Sequence, residues 1–484
     1  MRKIDSANNW PGLSELECEV KGTSVGWEKS IQDVVLSSLR EQYSSLDLEL
    51  PYGFERLALQ NVSTVTTGHQ LQLFGGPAFL HYKTITALRI ARELTNSDKP
   101  VVPVFWIASE DHDIEEVRWV YGKSSKHIWE GDFSTQMVGS LELDGLLKAF
   151  ESWQKDIETD VCEIEDLLKL SIDRNETYGQ FFVRLMHLWY ADLGLIVIDA
   201  SQRRLKEKFA PIMRRELVGE GISSYVTQGP IKPRDINLFY IHENGDRIGV
   251  IKSDEGPISN KIKVVGDVPE TLSPSVLLRP RLGEALLPNS HVILGPSELK
   301  YWRQLGPAFE KNGINMPTLF LRDHVLIIEK SNYELFSELG WSLEKGWWSE
   351  DDFIRKMIEG WLVDGFGLNL NDLSKDDVLC QMLKDLDIDF GGELLMDDSS
   401  ERLKNKIRKT ALKKVKRRVK EQLKAEIDLV TKAHKKVMNG IIPQDRWGNF
   451  HVLSDSVGGY KNLRDKLLEN TGIEGPVMQV IVVP

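Results

Sequence analysis

The sequence predicts an α/β fold with a doubly wound, Rossmann-like parallel sheet. Three observations lead to this fold class. Five short apolar segments have the composition of buried strands, segments with helical spacing alternate with them, and glycine-containing turns follow two of the strands. Helical crossovers join parallel strands with a right-handed turn. The 484 residues exceed the usual size of a single core, so we expect two or three domains.

The first β-α-β unit is predicted over residues 62–107. Residues 62–67 are short and β-branched, and residues 101–107 are almost continuously apolar. Residues 77–94 have apolar side chains at helical spacing, and Pro77 stands in the first turn, where proline is tolerated. Ligands of such sheets bind beyond the carboxyl ends of the strands. The residues that follow these two strands are therefore candidates for a site.

Three further core strands are predicted at residues 194–199, 291–294 and 316–321. The intervals near residues 121–178 and 223–277 are longer than a single crossover requires, so both are predicted to be inserted subdomains. The core with its two insertions then occupies residues 1–329.

Two local signals refine this prediction. Residues 241–250 are expected to form a hairpin around an Asn244-Gly245 turn. Ser201 is expected to cap the helix that follows the third strand.

Beyond residue 329 the pattern becomes helical, with alternating blocks of charge. Residues 330–371 are predicted to be a helical connection and residues 372–450 a coiled-coil domain. Residues 402–436 carry 15 Lys and Arg against three acids. An apolar seam runs along this region at helical spacing: Leu412, Val415, Val419, Leu423, Ile427, Val430, Ala433 and Val437.

The seam predicts a long helix with a partner helix. The alternative is a basic arm that binds nucleic acid, which we disfavour because aromatic residues are absent and the preceding acidic segment could neutralise the charge. Residues 451–484 are expected to return to the core, with a strand at residues 477–483.

Composition excludes several classes of protein. A net charge of -12 argues against general nucleic-acid binding, and no apolar run approaches the ~18 residues of a membrane span. The first residues lack the apolar segment of a secretory signal, so we expect a cytoplasmic protein without membrane partners. Cys18, Cys162 and Cys380 lack the spacing of a disulfide framework or a structural zinc site.

Two groups of candidate site residues follow the first two strands. Gly68, Gly75 and Gly76 could offer backbone N–H groups to an anion. Residues 110–113 are four consecutive ionisable residues: Glu110, Asp111, His112 and Asp113. Both groups have a structural alternative, because glycines commonly form turns and acids commonly cap helices.

Several motifs, in this order, resemble the bacillithiol biosynthesis cysteine-adding enzymes. They are residues 67–70 (TGHQ), 76–77 (GP), 81–83 (HYK), 103–113 (PVFWIASEDHD), 273–280 (SPSVLLRP), 295–298 (GPSE) and 443–446 (PQDR). The resemblance runs through nearly the whole chain. His69 and Asp445 depart from it, since glutamine and glutamate are the more familiar residues there.

The resemblance implies a Rossmann-like core similar to class I aminoacyl-tRNA synthetases, two connecting-peptide insertions and a C-terminal α-helical coiled coil that forms a homodimer. It also implies a ligase that acts in the last step of bacillithiol synthesis. Its small-molecule substrates would be cysteine and glucosaminyl-malate, and cysteine would be joined through an amide bond to the amine of glucosaminyl-malate.

Amide formation requires an activated carboxyl group, a neutral amine and donors for the developing oxyanion. Glu110, Asp111, His112 and Asp113 are the predicted catalytic residues. The acids would face the amine, and His112 or a neighbouring carboxylate would accept its proton, since adjacent acids raise one another's pKa.

Other residues are predicted to bind substrates or a nucleotide. Arg279, with its bidentate fork, suits the malate carboxylates, and Gln70 and Glu298 are further substrate-binding candidates. Glu298 is equally suited to cap its helix. The candidates for nucleotide or oxyanion binding are Gly68, His69, Gly75, Gly76, His81 and Lys83.

ATP is the expected cofactor if cysteine is activated as an adenylate or acyl phosphate, with Mg²⁺ only as its companion. We predict no metal site in the protein itself, because adjacent residues such as 111–113 seldom converge on one ion. The chain has no Gly-x-x-x-x-Gly-Lys-Ser/Thr loop, so the nucleotide site stays open.

Two other function classes stay open: another adenylating or amide-forming enzyme on a synthetase-like core, and a non-catalytic coiled-coil binding protein. Both enzyme hypotheses predict that Glu110, Asp111 and His112 share one pocket with Gly68 and Gly76.

Overall fold

The computed structural model describes residues 2–4, 19–20, 26–96, 98–133, 136–222, 225–264, 268–342, 348–388, 401–440, 442–469, 476 and 478–484. The chain forms two compact units. The first comprises residues 1–8, 12–325 and 445–479, and the second residues 9–11, 326–444 and 480–484. Cys18 and the acidic residues between 389 and 400 lie outside the described parts.

The strands are β1 Arg2–Ile4, β2 Glu19–Val20, β3 Ser63–His69, β4 Val101–Ile107, β5 Trp119–Tyr121, β6 Lys126–Ile128, β7 Ile196–Asp199, β8 Leu238–Ile241, β9 Arg247–Gly249, β10 Ile251–Ser253, β11 Gly256–Ser259, β12 Ile262–Lys263, β13 Leu272–Pro274, β14 Asn289–Leu294, β15 Thr318–Leu321, β16 His324–Glu329, β17 Met438–Asn439, β18 Ile442–Pro443 and β19 Met478–Val483.

The helices are α1 Lys29–Ser45, α2 Gly53–Leu57, α3 Phe79–Leu94, α4 Leu146–Gln154, α5 Cys162–Asp173, α6 Tyr178–Tyr190, α7 Arg203–Leu217, α8 Arg279–Leu286, α9 Pro296–Arg303, α10 Gly306–Lys311, α11 Lys330–Glu338, α12 Glu350–Phe366, α13 Asp376–Asp385, α14 Glu401–Gln422, α15 Lys424–Val437, α16 Phe450–Asp455 and α17 Tyr460–Leu468. Short 3₁₀ turns include Leu73–Gly75 and Ile114–Glu116.

The first unit contains a six-stranded sheet in the order β2-β15-β14-β3-β4-β7. All neighbours pair in parallel except β2, which runs antiparallel to β15. Read from β7 to β15, the parallel strands are the third, second, first, fourth and fifth along the chain. This is the strand order of the Rossmann fold. This topology confirms the predicted doubly wound sheet and its five strands.

The sheet holds together because its central strands are buried on both faces. Val65 of β3 and Phe105 of β4 have no exposed surface. Helix α3 covers one face and is itself almost entirely buried, including Arg89, whose guanidinium makes a bidentate contact with Asp323 just after β15 at 2.8 and 3.0 Å. A buried charge is tolerated when it is paired and hydrogen-bonded in this way.

Strand β14 contains a bulge. Asn289 pairs with Thr64 and His291 with Val65, so Ser290 is an extra residue in the ladder against β3. Side chains alternate between faces along a strand, and one extra residue shifts that alternation. Asn289 consequently shares a face with Val292 and Leu294.

The two intervals predicted as insertions have secondary structure of their own. The first contains the β5–β6 hairpin with α4 and α5, and the second the antiparallel strands β8 to β13. The predicted hairpin is confirmed, with Ile241 paired to Arg247 and Gly245 at φ 85°. The Ser201 cap is wrong: Gln202 precedes α7, and the Ser201 N–H donates instead to Asp199 at 2.9 Å.

The second unit is mainly helical. The predicted continuous helix is interrupted at Leu423, which separates α14 from α15. Ala411, Val415 and Val419 of α14 pack within a cluster formed with α12 and α13 of the same chain. The apolar seam is thus covered inside one chain, and the coiled coil and homodimer stay predictions. The predicted terminal strand is present as β19, which pairs with β16 in a sheet separate from the six-stranded one.

Among the described helices, none combines the length and apolar character that a membrane crossing requires.

We expect the free energy of unfolding to fall as the pH drops from 6.5 to 4. Burial lowers the pKa of His451 to about 4, so the unfolded chain takes up this proton first. The stabilisation from the neutral ring is complete above pH 6.5 and is lost as the pH falls through 4. His451→Phe should fit among Trp189 and Tyr460 and reduce the pH dependence by about one proton, measured by urea unfolding between pH 4.5 and 7.5. An unchanged dependence would contradict this account.

Candidate functional site

A cavity of ≈ 400 Å³ lies in the first unit where the strand order reverses, between β3 and β14. Its walls come from the ends of β3, β4 and β14, from α8 and from the first turn of α9. The crevice at such a reversal point is where doubly wound sheets bind ligands.

The end of β3 contributes Gly68, His69 and Gln70 to the cavity. A Cβ at Gly68 would lie 2.7 Å from the carbonyl oxygen of Trp106, so the close approach of β3 and β4 requires glycine. The Gln70 amide donates to Asp111 at 2.9 Å and to Glu116 at 2.7 Å. Gln70 therefore orients an acidic group at the cavity wall.

His69 lines the cavity as a neutral ring. Burial lowers its pKa to about 4, and the nearby Lys83 charge acts in the same direction. The ring meets Phe79 edge-on, with centroids 4.8 Å apart. His69 can hydrogen-bond a ligand at neutral pH but adds no positive charge.

Lys83 and Glu298 form a buried ion pair at the cavity wall. The Lys83 ammonium donates to the Gly68 carbonyl at 2.6 Å and to Glu298 at 2.7 Å. Burial lowers the pKa of Lys83, and the Glu298 carboxylate opposes this change. Glu298 also accepts from the Gly295 N–H at 2.6 Å, so it caps α9 as well as pairing with Lys83.

Two guanidinium groups reach the cavity without an ion pair. Arg279 opens α8, and Arg446 is the last residue of the 3₁₀ turn Gln444–Arg446. Neither side chain makes a hydrogen bond or salt bridge with the residues that the structure describes. The buried Arg322, in contrast, is bound to Asp445 at 2.6 Å. Arg279 and Arg446 are therefore available to anions.

Asp111 lines the cavity beside Arg279, at the end of β4. Burial raises the pKa of its carboxyl group, but the charges of Arg279 and Arg247 and the Gln70 hydrogen bond outweigh burial and hold the pKa below its usual value. The expectation that neighbouring acids raise this pKa is wrong, because cations surround the group instead. Asp111 is suited to hold a cation and not to accept a proton.

The other three residues of segment 110–113 point away from this cavity. Glu110 pairs with Lys206, accepts from Ser273 at 3.0 Å and borders a separate cavity of ≈ 20 Å³. Nδ1 of His112 accepts from Arg247 at 2.9 Å, and burial, with the Arg247 charge, lowers the His112 pKa. Asp113 is exposed. The predicted co-location is thus limited to Asp111 and Gly68.

Gly75, Gly76 and His81 are not among the residues that line this cavity. The Asn449 amide donates to the Gly76 carbonyl at 3.1 Å. His81 hydrogen-bonds the Tyr190 hydroxyl at 2.7 Å and stacks on Phe450 with ring centroids 4.3 Å apart. These contacts hold the turn at Gly75 and Gly76 in place.

Sequence reasoning missed several polar residues of the cavity, among them Glu284, Asn289, Tyr301 and Arg446. Arg446 belongs to a motif that carried the resemblance, so its position was a usable signal. Glu284 stands five residues after Arg279 on α8, with no motif around it. Asn289 reaches the cavity through the bulge in β14, which the residue pattern does not reveal.

The first turn of α9, where Ser297 lines the cavity, already holds a negative charge, because the Gly295 N–H donates to the Glu298 carboxylate. The first N–H groups of a helix have no intrahelical partner and favour negative charge. Within the described ranges, no group of three or more His, Cys, Asp or Glu side chains is arranged to hold a metal ion.

Comparisons with known proteins agree with this architecture. Residues 16–323 match the family profile described as bacillithiol biosynthesis BshC, N-terminal Rossmann-like domain. A protein of Flavobacterium johnsoniae described as "Putative cysteine ligase BshC" is 27% identical over 455 residues, which cover 87% of this chain and 85% of the relative. A protein of Cytophaga hutchinsonii with the same description is 30% identical over 345 residues, 66% of this chain and 64% of the relative.

Among solved structures, an arginyl-tRNA synthetase from Plasmodium falciparum aligns with 95% of this chain and 87% of its own, at 12% identity and a TM-score of 0.27. The assignment rests on the family profile, which covers well over half of the chain and coincides with the sheet and cavity described above. The chain belongs to the BshC family of bacillithiol biosynthesis, and both relatives named above have the description "Putative cysteine ligase BshC".

Proposed function

We propose that this protein joins cysteine through an amide bond to the amine of glucosaminyl-malate, as the last step of bacillithiol biosynthesis. The observation that supports this most is the presence of opposite charges in one cavity. Arg279 offers an unpaired guanidinium, and Asp111 offers a carboxylate held in its ionised form. The acceptor has the complementary groups, two carboxylates and one amine.

The malate carboxylates would bind Arg279, with Arg446 as a second cation. A guanidinium binds a carboxylate through two parallel hydrogen bonds, which fixes its orientation as well as its position. Tyr301 lines the same cavity and can contribute its hydroxyl group.

Asp111 would hold the acceptor amine close to the carbonyl carbon of activated cysteine. In the reaction the amine nitrogen forms a bond to that carbon, the bond from the carbon to the leaving oxygen breaks, and the nitrogen releases its extra proton to water. Because its pKa is lowered, Asp111 positions the amine and does not take the proton.

We propose ATP, accompanied by Mg²⁺, as the source of activation. When bound, the nucleotide supplies the phosphoryl or adenylyl group that makes the cysteine carboxyl reactive. Arg446, whose guanidinium has no hydrogen bond or salt bridge with the described residues, fits an anionic phosphate group. Lys83 fits this role less well, because its ammonium is already bound to Gly68 and Glu298.

A cytoplasmic location and a homodimer are also part of the proposal. The homodimer rests on the family resemblance alone, since the apolar seam of α14 is buried within one chain.

The direct test is an assay with cysteine, glucosaminyl-malate, ATP and Mg²⁺, with the amide product measured by mass spectrometry. Product that requires all three substrates supports the proposal. Absence of product, with the protein folded, would overturn it and favour another adenylating enzyme on this fold.

Replacement of Arg279 by alanine should raise the Kd for glucosaminyl-malate and for malate alone by roughly 10- to 100-fold, because charged hydrogen bonds are lost. Arg279→Lys should lie between wild type and Arg279→Ala, since it keeps the charge but loses the planar fork. Isothermal calorimetry measures both, and Arg204→Ala, at an exposed position of α7, is the matched control. Equal affinities of Arg279→Ala and wild type would refute the malate assignment.

Asp111→Asn should weaken glucosaminyl-malate binding by roughly tenfold because the amine loses its counter-charge. Binding of malate alone should not weaken, since malate has no amine. Asp113→Asn, two residues away and exposed, is the control and should behave as wild type in the same calorimetric titrations. Loss of malate affinity in Asp111→Asn would show that Asp111 acts on the cavity as a whole.

A further inference from the structure

The cavity does not end at the strand ends. Asn289 opens β14, Leu294 closes it, and both line the cavity, which therefore follows the face of the sheet beneath α8. A strand rises about 3.3 Å per residue, so the inner end lies roughly 15 Å from the strand ends. This inner end is distinct from the charged entrance formed by Asp111, Arg279 and Arg446.

A fixed set of hydrogen bonds forms the inner end. The hydroxyl groups of Thr64 and Thr66 both donate to Oδ1 of Asn289. The amide nitrogen of Asn289 then donates to Oε1 of Glu284 at 2.7 Å. One carboxyl oxygen of Glu284 is thereby held, and the other has no partner among the described residues.

The inner end is polar, and among the residues that the structure describes no cation lies beside Glu284. Burial raises the pKa of Glu284 well above its usual value, and the Asn289 hydrogen bond offsets only part of this. The neutral carboxyl group is therefore favoured, and it can both donate and accept hydrogen bonds. Asp111 at the entrance has the opposite environment, so the two acids suit different ligand groups.

An indole side chain and a glycine line the cavity between the entrance and the inner end, since Trp106 pairs with Gly68 in the sheet and Asn289 pairs with Thr64. Trp106 lines the cavity, and a Cβ placed on Gly283 of α8 would lie 3.9 Å from its six-membered ring, with nothing closer. Gly283 thus leaves free space beside the indole. An apolar surface next to a few fixed hydrogen-bonding groups is the usual composition of a site for an uncharged, polar small molecule.

We propose that the inner end binds the hexose ring of the acceptor, with ring hydroxyl groups hydrogen-bonded to Glu284 and Asn289 and the ring packed against Trp106. This inference rests on the proposed function for the identity of the acceptor. In glucosaminyl-malate the malate and the amine are attached to adjacent carbons of the ring. Both can face Arg279 and Asp111 at the entrance while the hydroxyl groups on the far side enter the inner end.

The test is calorimetry with three probes: glucosaminyl-malate, malate and methyl glucosaminide. Glu284→Ala should raise the Kd for glucosaminyl-malate roughly tenfold, because a hydrogen-bonding partner of the sugar is lost. Glu284→Gln keeps the neutral hydrogen-bonding group and should retain affinity within roughly threefold. Neither variant should change the Kd for malate by more than about twofold.

Gly283→Leu tests the same inference without removing a hydrogen bond. Its side chain would fill the space beside Trp106, so it should weaken both sugar-containing probes and leave malate binding unchanged. Gly283→Ala, whose Cβ makes only an ordinary contact, is the matched control for the helix position. Thermal unfolding shows that each variant is folded.

The outcomes separate this inference from the proposed function. If both Glu284→Ala and Gly283→Leu bind glucosaminyl-malate as tightly as wild type, the sugar site is refuted and the proposed function is unaffected. If the two variants lose malate binding as much as glucosaminyl-malate binding, the sugar site is refuted as well. If wild type fails to bind glucosaminyl-malate, the proposed function falls. The sugar site then stands only if methyl glucosaminide binds and Glu284→Ala weakens it, and it falls if methyl glucosaminide does not bind.

Discussion

The shape of the cavity depends on the hydrogen bonds of the buried Lys83 ammonium group. The side chain starts from α3 and binds the last residues of β3 through the Gly68 carbonyl and the start of α9 through Glu298. These two points lie on either side of the reversal in strand order, so one side chain fixes the width of the crevice. Loss of one partner of such a buried pair costs about 3–5 kcal/mol, because the other charge remains in an apolar environment.

Around this fixed crevice, the protein separates charge by position. The entrance has unpaired guanidinium groups and an ionised Asp111, and the inner end has Glu284, whose environment favours the neutral acid. The pKa values of the two carboxyl groups move in opposite directions because cations stabilise the charge of Asp111, whereas burial outweighs the Asn289 hydrogen bond at Glu284. A ligand with charged groups at one side and uncharged groups at the other would therefore bind in a single orientation.

Much of the fold could be predicted from the sequence because its signals are local. The apolar runs of β3 and β4, the helical spacing of α3 and the Asn244-Gly245 turn each depend on neighbouring residues. One long helix was predicted where the structure has α14 and α15. The apolar seam shows that these residues are buried, but it does not show which surface buries them. That surface is supplied by α12 and α13 of the same chain.

The site was predicted mainly where a residue follows a strand end, and Lys83 and Glu298, on the helices after β3 and β14, were predicted as well. Gly68, Gln70 and Asp111 line the cavity, as does Arg279 after the second insertion. Gly75 and Gly76 have the same local signal as Gly68, but the chain has turned away towards Asn449 by that point. Glu110 and His112 flank Asp111 in sequence and bind Lys206 and Arg247 instead, because the chain turns directly after β4 and the three side chains point in different directions.

The bulge in β14 has a consequence for how relatives of this protein can diverge. Ser290 places Asn289 on the ligand side, so the length of this strand, and not only the identity of its residues, decides which side chain faces the cavity. A relative that lacks the extra residue would present a different side chain there while keeping an asparagine in its sequence. Ligand preference could then change through a single-codon deletion, and position-by-position comparison of aligned residues would not reveal it.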